Sequence, residues 1–326
     1  MLEVKGLVKK YGDKTAINGL SFQVAKGEVV GLLGLNGAGK STTMNCITGY
    51  IAPTAGSVTV DGHDLLKEPD KAKRVIGYLP EVFSFYPDMK VYEYLNFVCD
   101  LKGVFRNQRQ RREHILAVCG RVGLSELTGR MIRNLSKGYK QRVGFAQALI
   151  GNPGVLILDE PTVGLDPSQI IEIRQLIRES GKESTIIVSS HILSEIQAIC
   201  SRIIVIHDGQ IAADGPTEQV IREAAGRAEL VIRAKGPETR IEKVLSEIPG
   251  SPRFVRLPEA EEGTSEYQLT GNGQEDLREA VFQAFAASGL VLLQICSREA
   301  SLEHTFLHLT GQDSKEAEAA FGKGEQ

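Results

Sequence analysis

Hydrophobic and polar residues alternate in short stretches near the N-terminus of this chain, which has 326 residues. Tight turns that contain glycine separate these stretches, which are Leu2 to Lys9, Leu20 to Val24 and Ser57 to Val60. Alternation places one face of a strand toward a core and the other toward water. The pattern therefore predicts antiparallel strands at the start of the chain.

From Val29 onward the apolar residues form continuous runs instead. The clearest runs are Val155 to Leu158, Thr185 to Val188 and Ile203 to Ile206. Strands without alternation are expected where both faces of a sheet are covered, so these runs predict a parallel α/β core. Between them, residues 87–135 are mostly polar and helical in pattern, and we expect them to form an inserted helical subdomain.

The composition changes near residues 224–226, and the pattern that follows predicts a second domain. Its elements occur in the order β-α-β-β-α-β, which is the split βαβ, ferredoxin-like arrangement. The predicted strands are Glu229 to Arg233, Arg253 to Leu257, Glu266 to Thr270 and Leu290 to Ser297, and the predicted helices are Thr239 to Ile248 and Asp276 to Ser288. We therefore expect one domain over residues 1–220, a small α+β domain over 227–312, and a charged, disordered tail over 313–326.

Bulk composition excludes several classes of protein. The formal net charge is -3 at pH 7, so no global field favours nucleic acid or an acidic membrane. No apolar run is long enough to cross a bilayer, and the N-terminus lacks the pattern of a signal peptide. The cysteines never form a C-x-x-C pair, which favours reduced thiols in a cytosol; they are Cys46, Cys99, Cys119, Cys200 and Cys296. We expect a cytoplasmic protein that reaches a membrane only through a partner.

A glycine-rich segment follows the apolar run Val29 to Leu33 and precedes a predicted helix, Ser41 to Thr48. It fits the pattern G-x-x-x-x-G-K-[ST] and reads Gly34-Leu35-Asn36-Gly37-Ala38-Gly39-Lys40-Ser41-Thr42. In such a loop backbone N–H groups wrap phosphates, Lys40 reaches the β/γ oxygens, and the Ser41 hydroxyl ligates Mg²⁺. Because the helix N-terminus also favours anions, the segment predicts a nucleoside triphosphate site with Mg²⁺.

A second motif ends the run Val155 to Leu158 with the carboxylates of Asp159 and Glu160. The strand delivers both to the C-terminal edge of a parallel sheet, where ligands collect in open α/β folds. There Asp159 can hold Mg²⁺ through water, and Glu160 can orient or deprotonate the attacking water. The alternative is a strand that merely ends in solvated acids, and Lys40 in the first motif argues against it.

Further motifs lie between and after these two. The segment Leu135 to Arg142 reads Leu-Ser-Lys-Gly-Tyr-Lys-Gln-Arg, and Ser136 at its start can cap a helix. Gly164-Leu165-Asp166 follows the second motif, His191 follows a predicted strand, and Tyr11 precedes a Gly-Asp turn. In this order and spacing the motifs resemble those of the ATP-binding cassette (ABC) ATPases.

The resemblance covers roughly the first 215 residues. It implies the P-loop NTPase fold of ABC ATPases, a mixed sheet with an antiparallel β subdomain and a helical subdomain. It also implies that Tyr11 stacks on adenine, that Leu135 to Arg142 is the signature sequence, that Gly164 to Asp166 is the D-loop, and that His191 is the switch histidine. ATP and Mg²⁺ are the expected cofactors.

The family resemblance further implies a head-to-tail homodimer, in which each nucleotide lies between the phosphate loop of one copy and the signature helix of the other. Ser136 and the Gly138 amide would form a second anion site at a helix N-terminus, and Asp166 would join it from the D-loop. One copy cannot bring this site to its own γ-phosphate, so dimer closure would complete the catalytic groups.

The chain departs from the common family pattern at two places. Glu81 stands where most members have glutamine, and as a carboxylate it can still ligate Mg²⁺. Lys137 and Tyr139 replace the common glycine and glutamine of the signature, and Lys137 either brings positive charge near the γ-phosphate or points to solvent. Both departures resemble the subgroup that works with separate type-two export permeases. Its gliding-motility branch is the most similar, on the segments Leu79 to Glu81, Tyr86 to Val91 and Glu160 to Pro167.

Aromatic residues cluster just after Glu81. We predict that Tyr92 and Tyr94 fill the core of the helical insertion. In the family this region meets the permease, and exposed aromatic residues are typical of such interfaces. We therefore expect a groove for a partner helix, lined by Phe83, Phe85 and Tyr86.

A basic run follows in the same insertion and consists of Arg106, Arg109, Arg111 and Arg112. Such runs are usually a solvated helix face, and attraction to anionic lipid headgroups is a secondary alternative. Nucleic acid is disfavoured, because no aromatic platform or wider basic surface accompanies the run.

Three functions follow from these features. The first is the ATP-hydrolysing subunit of a membrane exporter, with a permease as partner and the cytoplasmic face of the membrane as location. The alternative is a soluble ABC ATPase that acts on ribosomes, cofactor assembly or DNA, although the chain shows neither tandem cassettes nor long coiled coils. The third is a nucleotide-gated scaffold, which the presence of Asp159, Glu160 and His191 disfavours.

The C-terminal domain has no ligand cluster, since Cys296, His304 and His308 are spaced as in strands or helices. We therefore expect an accessory role for this domain, in dimerisation or regulation.

Overall fold

The computed structural model of the chain describes residues 1–224, 229–249, 252–258, 261, 263–270 and 277–298. Contacts between residues divide the chain into two units, Met1–Val220 and Ile221 onward. The tail predicted over 313–326, together with His304 and His308, lies outside the described residues. Within the described part, none of the helices is both long and apolar enough for a bilayer crossing.

The first unit combines strands and helices along its sequence. Its strands are β1 (Leu2–Tyr11), β2 (Lys14–Val24), β3 (Val29–Leu33), β4 (Ala55–Val60), β5 (His63–Asp64), β6 (Ile76–Leu79), β7 (Val155–Asp159), β8 (Thr185–Ser190), β9 (Arg202–His207) and β10 (Gln210–Pro216). Its helices are α1 (Lys40–Ile47), α2 (Pro69–Arg74), α3 (Val91–Lys102), α4 (Gln108–Arg121), α5 (Lys137–Leu149), α6 (Pro167–Gly181), α7 (Leu193–Ile199) and α8 (Thr217–Ala224), the last of which crosses the unit boundary.

Two sheets form the framework of this unit. The larger has the order β10-β9-β3-β8-β7-β6, in which β10 is antiparallel to β9 and the other neighbours are parallel. The smaller is antiparallel, with the order β2-β1-β4-β5. Every residue of β7 and β8 is buried, as expected for strands that are covered on both faces. The predicted mixed fold with an antiparallel β subdomain is confirmed.

The prediction for the second strand was too short. It began at Leu20, but β2 begins at Lys14 and pairs with β1 from the turn onward. Its first residues are largely exposed, so they carry no hydrophobic alternation that could reveal a strand. Backbone pairing with β1 keeps them in the sheet.

The segment between the two nucleotide motifs contains α3, α4 and two 3₁₀ turns, at Ser125–Leu127 and Ile132–Asn134. Tyr94 is buried in this region, as predicted, whereas Tyr92 is half-buried. In the basic run, Arg111 donates to Asp100 at 2.5 Å and Arg109 donates to Glu113 at 2.9 Å. Arg109 is exposed, as expected of a solvated helix face, whereas the side chain of Arg111 is half-buried.

The second unit consists of β11 (Glu229–Lys235), α9 (Glu238–Ser246), β12 (Arg253–Leu257), β13 (Ser265–Thr270), α10 (Leu277–Ser288) and β14 (Val291–Arg298). The strand order is β12-β13-β11-β14, and all neighbours are antiparallel. Tyr267 and Phe285 are almost fully buried between the sheet and its helices. The predicted β-α-β-β-α-β order is confirmed, and the domain limits 227–312 stay a prediction.

The packing of α5 on the central sheet depends on a glycine in β6. A Cβ atom added at Gly77 would lie 2.1 Å from the Ala148 carbonyl oxygen in α5 and 2.6 Å from the Leu156 side chain. Backbone atoms cannot rotate away as a side chain can, so the helix itself would have to move. The glycine thus sets how closely the helix that follows Ser136 approaches the sheet.

We expect Gly77→Ala to lower the free energy of unfolding by about 1–3 kcal/mol, the usual range for overpacking a core. Urea denaturation followed by circular dichroism measures this change. Gly129→Ala is the control, because Gly129 is exposed and a Cβ there meets no atom within 4 Å. Equal stability of the two variants would contradict the proposed packing constraint.

Candidate nucleotide site

The glycine-rich loop connects β3 to α1 and uses glycine at three positions for reasons of backbone conformation or space. Gly37 and Gly39 have φ values of 87° and 111°, in the left-handed region that favours glycine. A Cβ atom at Gly34 would lie 2.5 Å from the Ile206 carbonyl oxygen, and one at Gly39 would lie 2.7 Å from that of Ala16. Gly39 precedes α1 and supplies no side-chain cap, so the first N–H groups of α1 are available to an anion.

Lys40 is held inside this loop. Only 5% of its surface is exposed, and its Nζ donates to the carbonyl oxygens of Gly34 at 2.8 Å and Leu35 at 3.1 Å. The Glu160 carboxylate lies 3.8 Å from the ammonium. Burial lowers the pKa of Lys40, and the negative charges of Glu160, Asp159 and Glu81 oppose this shift. The lysine therefore presents a desolvated positive charge next to the loop amides.

One serine of β8 binds both the Asp159 carboxylate, which ends β7, and the backbone of Glu160, which follows it. The Ser189 hydroxyl donates to Asp159 Oδ1 at 2.6 Å and accepts from the Glu160 N–H at 2.8 Å. Glu160 has a φ of 47°, a conformation that is strained for a residue with a side chain. Burial raises the pKa of Asp159, and the charges of Glu81 and Glu160 raise it further. A cation bound at this edge would relieve that repulsion.

His191, which directly follows β8, contacts Glu160. Its Nδ1 atom lies 3.1 Å and 3.0 Å from the two carboxylate oxygens of Glu160. Because a carboxylate only accepts, Nδ1 must carry the proton in this contact. The imidazole is 39% exposed while Glu160 is 6% exposed, so the pair spans from the core to the solvent side of the site.

A cavity of about 450 Å³ brings these elements together. It is lined by Tyr11, Lys14, Ala16, Asn36, Gly37, Gly39, Lys40, Ser41, Thr42, Glu81, Glu160, Val163 and His191. Tyr11 is half exposed at its edge, and the Lys9 ammonium lies 5.1 Å from its ring centroid. Lys14, Ala16 and Val163 also line the cavity but were not predicted from the sequence. Lys14 and Ala16 lie within three residues after the Gly-Asp turn that follows Tyr11, which is the signal that could have found them.

Other predicted site residues lie behind this lining. Gly34, Leu35 and Ala38 shape the loop, and the N–H of Ala38 donates to the Leu35 carbonyl at 3.1 Å. Asp159 is 3% exposed, directly precedes Glu160 and is absent from the described lining of the cavity. These residues support the loop and the sheet edge from within.

The signature residues occupy a different place in the same chain. Ser136 caps α5 by accepting from the Tyr139 N–H at 3.4 Å. Gly138 is buried, and a Cβ there would meet the Gln169 amide within 2.6 Å. Asp166 caps α6 by accepting from the Gln169 N–H at 2.9 Å, and its bond from the Ser168 hydroxyl is the main cause that lowers its pKa. Ser136, Gly138 and Asp166 are absent from the described lining of the nucleotide cavity.

Lys137 lies over the D-loop. Its ammonium occupies the space into which a Cβ at Gly164 would project, 1.8 Å from that position, and Gly164 has a left-handed φ of 71°. The side chain is exposed overall, yet it runs along this glycine. The exposed side chain fits the alternative in which Lys137 points to solvent, and its ammonium also lies close to Gly164 of the D-loop. A role of Lys137 near the γ-phosphate stays a prediction.

A second groove of about 510 Å³ adjoins the nucleotide cavity. It is lined by Glu81, Val82, Phe83, Phe85, Pro87, Ile132, Arg133, Lys137, Lys140, Gln141 and Val163. The rings of Phe83 and Phe85 stack within it, with centroids 4.8 Å apart. The prediction that Tyr86 also lines this groove was wrong: its ring packs edge-on against Phe97, with the centroids 5.5 Å apart.

Residues 17–163 match the family model described as ABC transporter. The linearmycin resistance ATP-binding protein LnrL of Bacillus subtilis (strain 168) is 33% identical over 315 residues, which cover 96% of this chain and 99% of that protein. The chain belongs to the ATP-binding cassette family. The bacitracin transport ATP-binding protein BcrA of Bacillus licheniformis is 32% identical over 320 residues, 95% of this ABC protein and 97% of its relative.

Solved structures of ABC proteins share the fold. One is described as a dimeric, post-hydrolysis state of the ATP-binding cassette MJ0796 bound to ADP and Pi. Its TM-score to this chain is 0.61, and the two sequences are 27% identical. The superposition covers 67% of this chain and 99% of the solved chain. The chain is thus an ABC ATP-binding protein of a family that binds nucleotide and hydrolyses ATP.

We expect Lys40→Ala to raise the Kd for ATP at least about tenfold, equivalent to about 1.4 kcal/mol, because the loop loses its desolvated charge. Titration with a fluorescent ATP analogue measures this affinity. Lys26→Ala removes a lysine from an exposed turn and serves as the control. Wild-type affinity in the Lys40 variant would contradict its role in phosphate binding.

Proposed function

We propose that this ABC protein is the ATP-hydrolysing subunit of a membrane exporter, and that two copies close head to tail around ATP. The observation that carries the proposal is the separation of the site within one chain. The phosphate loop, Glu160 and His191 share one cavity, whereas Ser136 and Gly138 lie elsewhere at the start of α5. A second copy can supply that helix N-terminus to the γ-phosphate.

The residues of the cavity have distinct roles in this proposal. Lys40 and the loop amides bind the phosphates, and the half-exposed ring of Tyr11 stacks on the adenine. Glu160 orients or deprotonates the attacking water, and His191 holds the Glu160 carboxylate through its Nδ1–H. Hydrolysis removes the γ-phosphate that joins the two copies, so the dimer reopens.

The donor atoms at the sheet edge suit Mg²⁺, which prefers oxygen ligands and retains several waters. The Ser41 hydroxyl and the Glu81 carboxylate line the cavity, and Asp159 lies beside Glu160 with a pKa raised by burial and by neighbouring negative charges. We propose that these three residues hold Mg²⁺ directly or through water. When bound, the ion neutralises charge on the β and γ oxygens of ATP.

A permease helix is the proposed occupant of the groove beside the site. Stacked Phe83 and Phe85 give it an apolar wall, and Val82 at its edge is 77% exposed. The relatives named above are a linearmycin resistance protein and a bacitracin transport protein, which supports export as the direction. The location would then be the cytoplasmic face of a membrane, reached through the permease. Placement in the gliding-motility branch stays a prediction, as does an accessory role of the second unit in dimerisation or regulation.

We expect Glu160→Gln to bind ATP with wild-type affinity but to hydrolyse it at least about a hundredfold more slowly, since an amide cannot accept the proton of water. Size-exclusion chromatography with light scattering in ATP would then show a stable dimer. Adding Ser136→Arg should return this variant to a monomer that still binds ATP. Full ATPase activity of Glu160→Gln would contradict the role of Glu160.

We expect Val82→Glu to abolish co-purification with the permease from detergent-solubilised membranes, because the added charge would be buried against an apolar helix. The ATP affinity should stay unchanged, which separates docking from nucleotide binding. Leu101→Glu is the matched control, since Leu101 is 70% exposed on α3 and does not line the groove. Retained co-purification of the Val82 variant would place the permease contact elsewhere.

A further inference from the structure

A buried carboxylate lies close to the nucleotide cavity and has no role in the reaction as described above. Glu195 is in the first turn of α7, and 7% of its surface is exposed. Its Oε2 atom accepts hydrogen bonds from the Thr162 hydroxyl at 2.6 Å and from the Ser190 hydroxyl at 3.1 Å. Thr162 and Ser190 are 4% and 1% exposed, so water does not reach this bridge from their side.

The bridge connects the two segments that carry the reacting pair. Thr162 lies two residues after Glu160, and Ser190 directly precedes His191. The Ser190 oxygen also accepts from the Ile192 N–H at 3.0 Å, so the hydroxyl that donates to Glu195 also binds the backbone on the other side of His191. One oxygen of Glu195 therefore holds the segment after Glu160 against the loop of His191.

The neighbouring serine cannot replace this bridge. Ser189 binds Asp159 and the Glu160 N–H, which fixes the end of β7 to β8. It makes no described contact with the chain after Glu160, where Thr162 leads into the D-loop. Glu160 has a left-handed φ of 47°, so its chain turns sharply here and needs support on the far side of the turn.

We propose that Glu195 is a positioning residue for ATP hydrolysis, which sets the Glu160–His191 geometry through Thr162 and Ser190. An ionised carboxylate is a stronger acceptor than a neutral group, and burial strengthens both bonds. Small displacements of reacting groups lower the rate steeply. The inference rests on the roles proposed for Glu160 and His191, and Glu195 itself touches neither nucleotide nor the reacting water.

The test compares ATP turnover by full-length Glu195→Ala and Glu195→Gln with the wild type. The alanine variant should lose at least about tenfold in kcat with KM within about twofold, because nucleotide binding depends on other residues. Glutamine keeps an acceptor oxygen and should recover most of kcat. Gln197→Ala, an exposed change on the same helix, should equal the wild type.

Thr162→Val tests the bridge from its other end and covers the case in which Glu195→Ala does not fold. It should lower kcat without changing KM, as Glu195→Ala does. The double variant should be no slower than Glu195→Ala alone, since both changes break one bridge.

Two results would overturn the proposal. One is wild-type kcat in both Thr162→Val and Glu195→Ala. The other is a loss of kcat that is no larger than the fraction of each variant that thermal melts show to be unfolded at the assay temperature. Glu160→Gln, measured in parallel, distinguishes a failure of the role proposed for Glu195 from a failure of the role proposed for Glu160. If it stalls while the bridge variants turn over normally, only the role of Glu195 fails. If it is as active as the wild type, the role of Glu160 fails instead.

Discussion

The nucleotide site depends on a charge balance at the C-terminal edge of the central sheet. Lys40 is buried in its loop 3.8 Å from Glu160, and Asp159 and Glu81 contribute further negative charge. A buried lysine without such partners would tend to lose its proton, and buried carboxylates without a cation would tend to gain one. The carboxylates oppose the fall in the pKa of Lys40, and Lys40 opposes the rise in the pKa of Asp159. The fold keeps Lys40, Asp159 and Glu160 together because β3, β8 and β7 are neighbours in one sheet.

Much of the fold could be predicted because its signals are local. The continuous run of Val155 to Leu158 identifies a fully buried strand by itself, and the glycine-rich loop reveals its conformation through residues that tolerate positive φ. The order of elements in the C-terminal unit also follows from local periodicity. By contrast, β2 begins with two exposed residues, Lys14 and Thr15, which belong to the strand only because β1 pairs with them. That pairing is information from outside the segment.

The site was predicted where a motif is contiguous and missed where it depends on tertiary contacts. Lys40 and Ser41 belong to one nine-residue segment, so their joint role is readable. Val163 enters the cavity only because the chain turns sharply at Glu160. The orientation of Tyr86 toward Phe97 rather than toward the groove likewise depends on how α3 packs, which no pattern around Tyr86 specifies.

The nucleotide cavity and the neighbouring groove share residues, and this sharing would give the nucleotide and the proposed permease helix a short physical connection. Glu81 and Val163 line both, so a helix that presses on Phe83 and Phe85 acts on groups that also face the phosphates. Lys137 lies on Gly164 in the same region, at the start of the helix that a second copy would meet. Coupling of this kind needs no long pathway, since displacing Glu81 changes the charge around Lys40 and Asp159 directly.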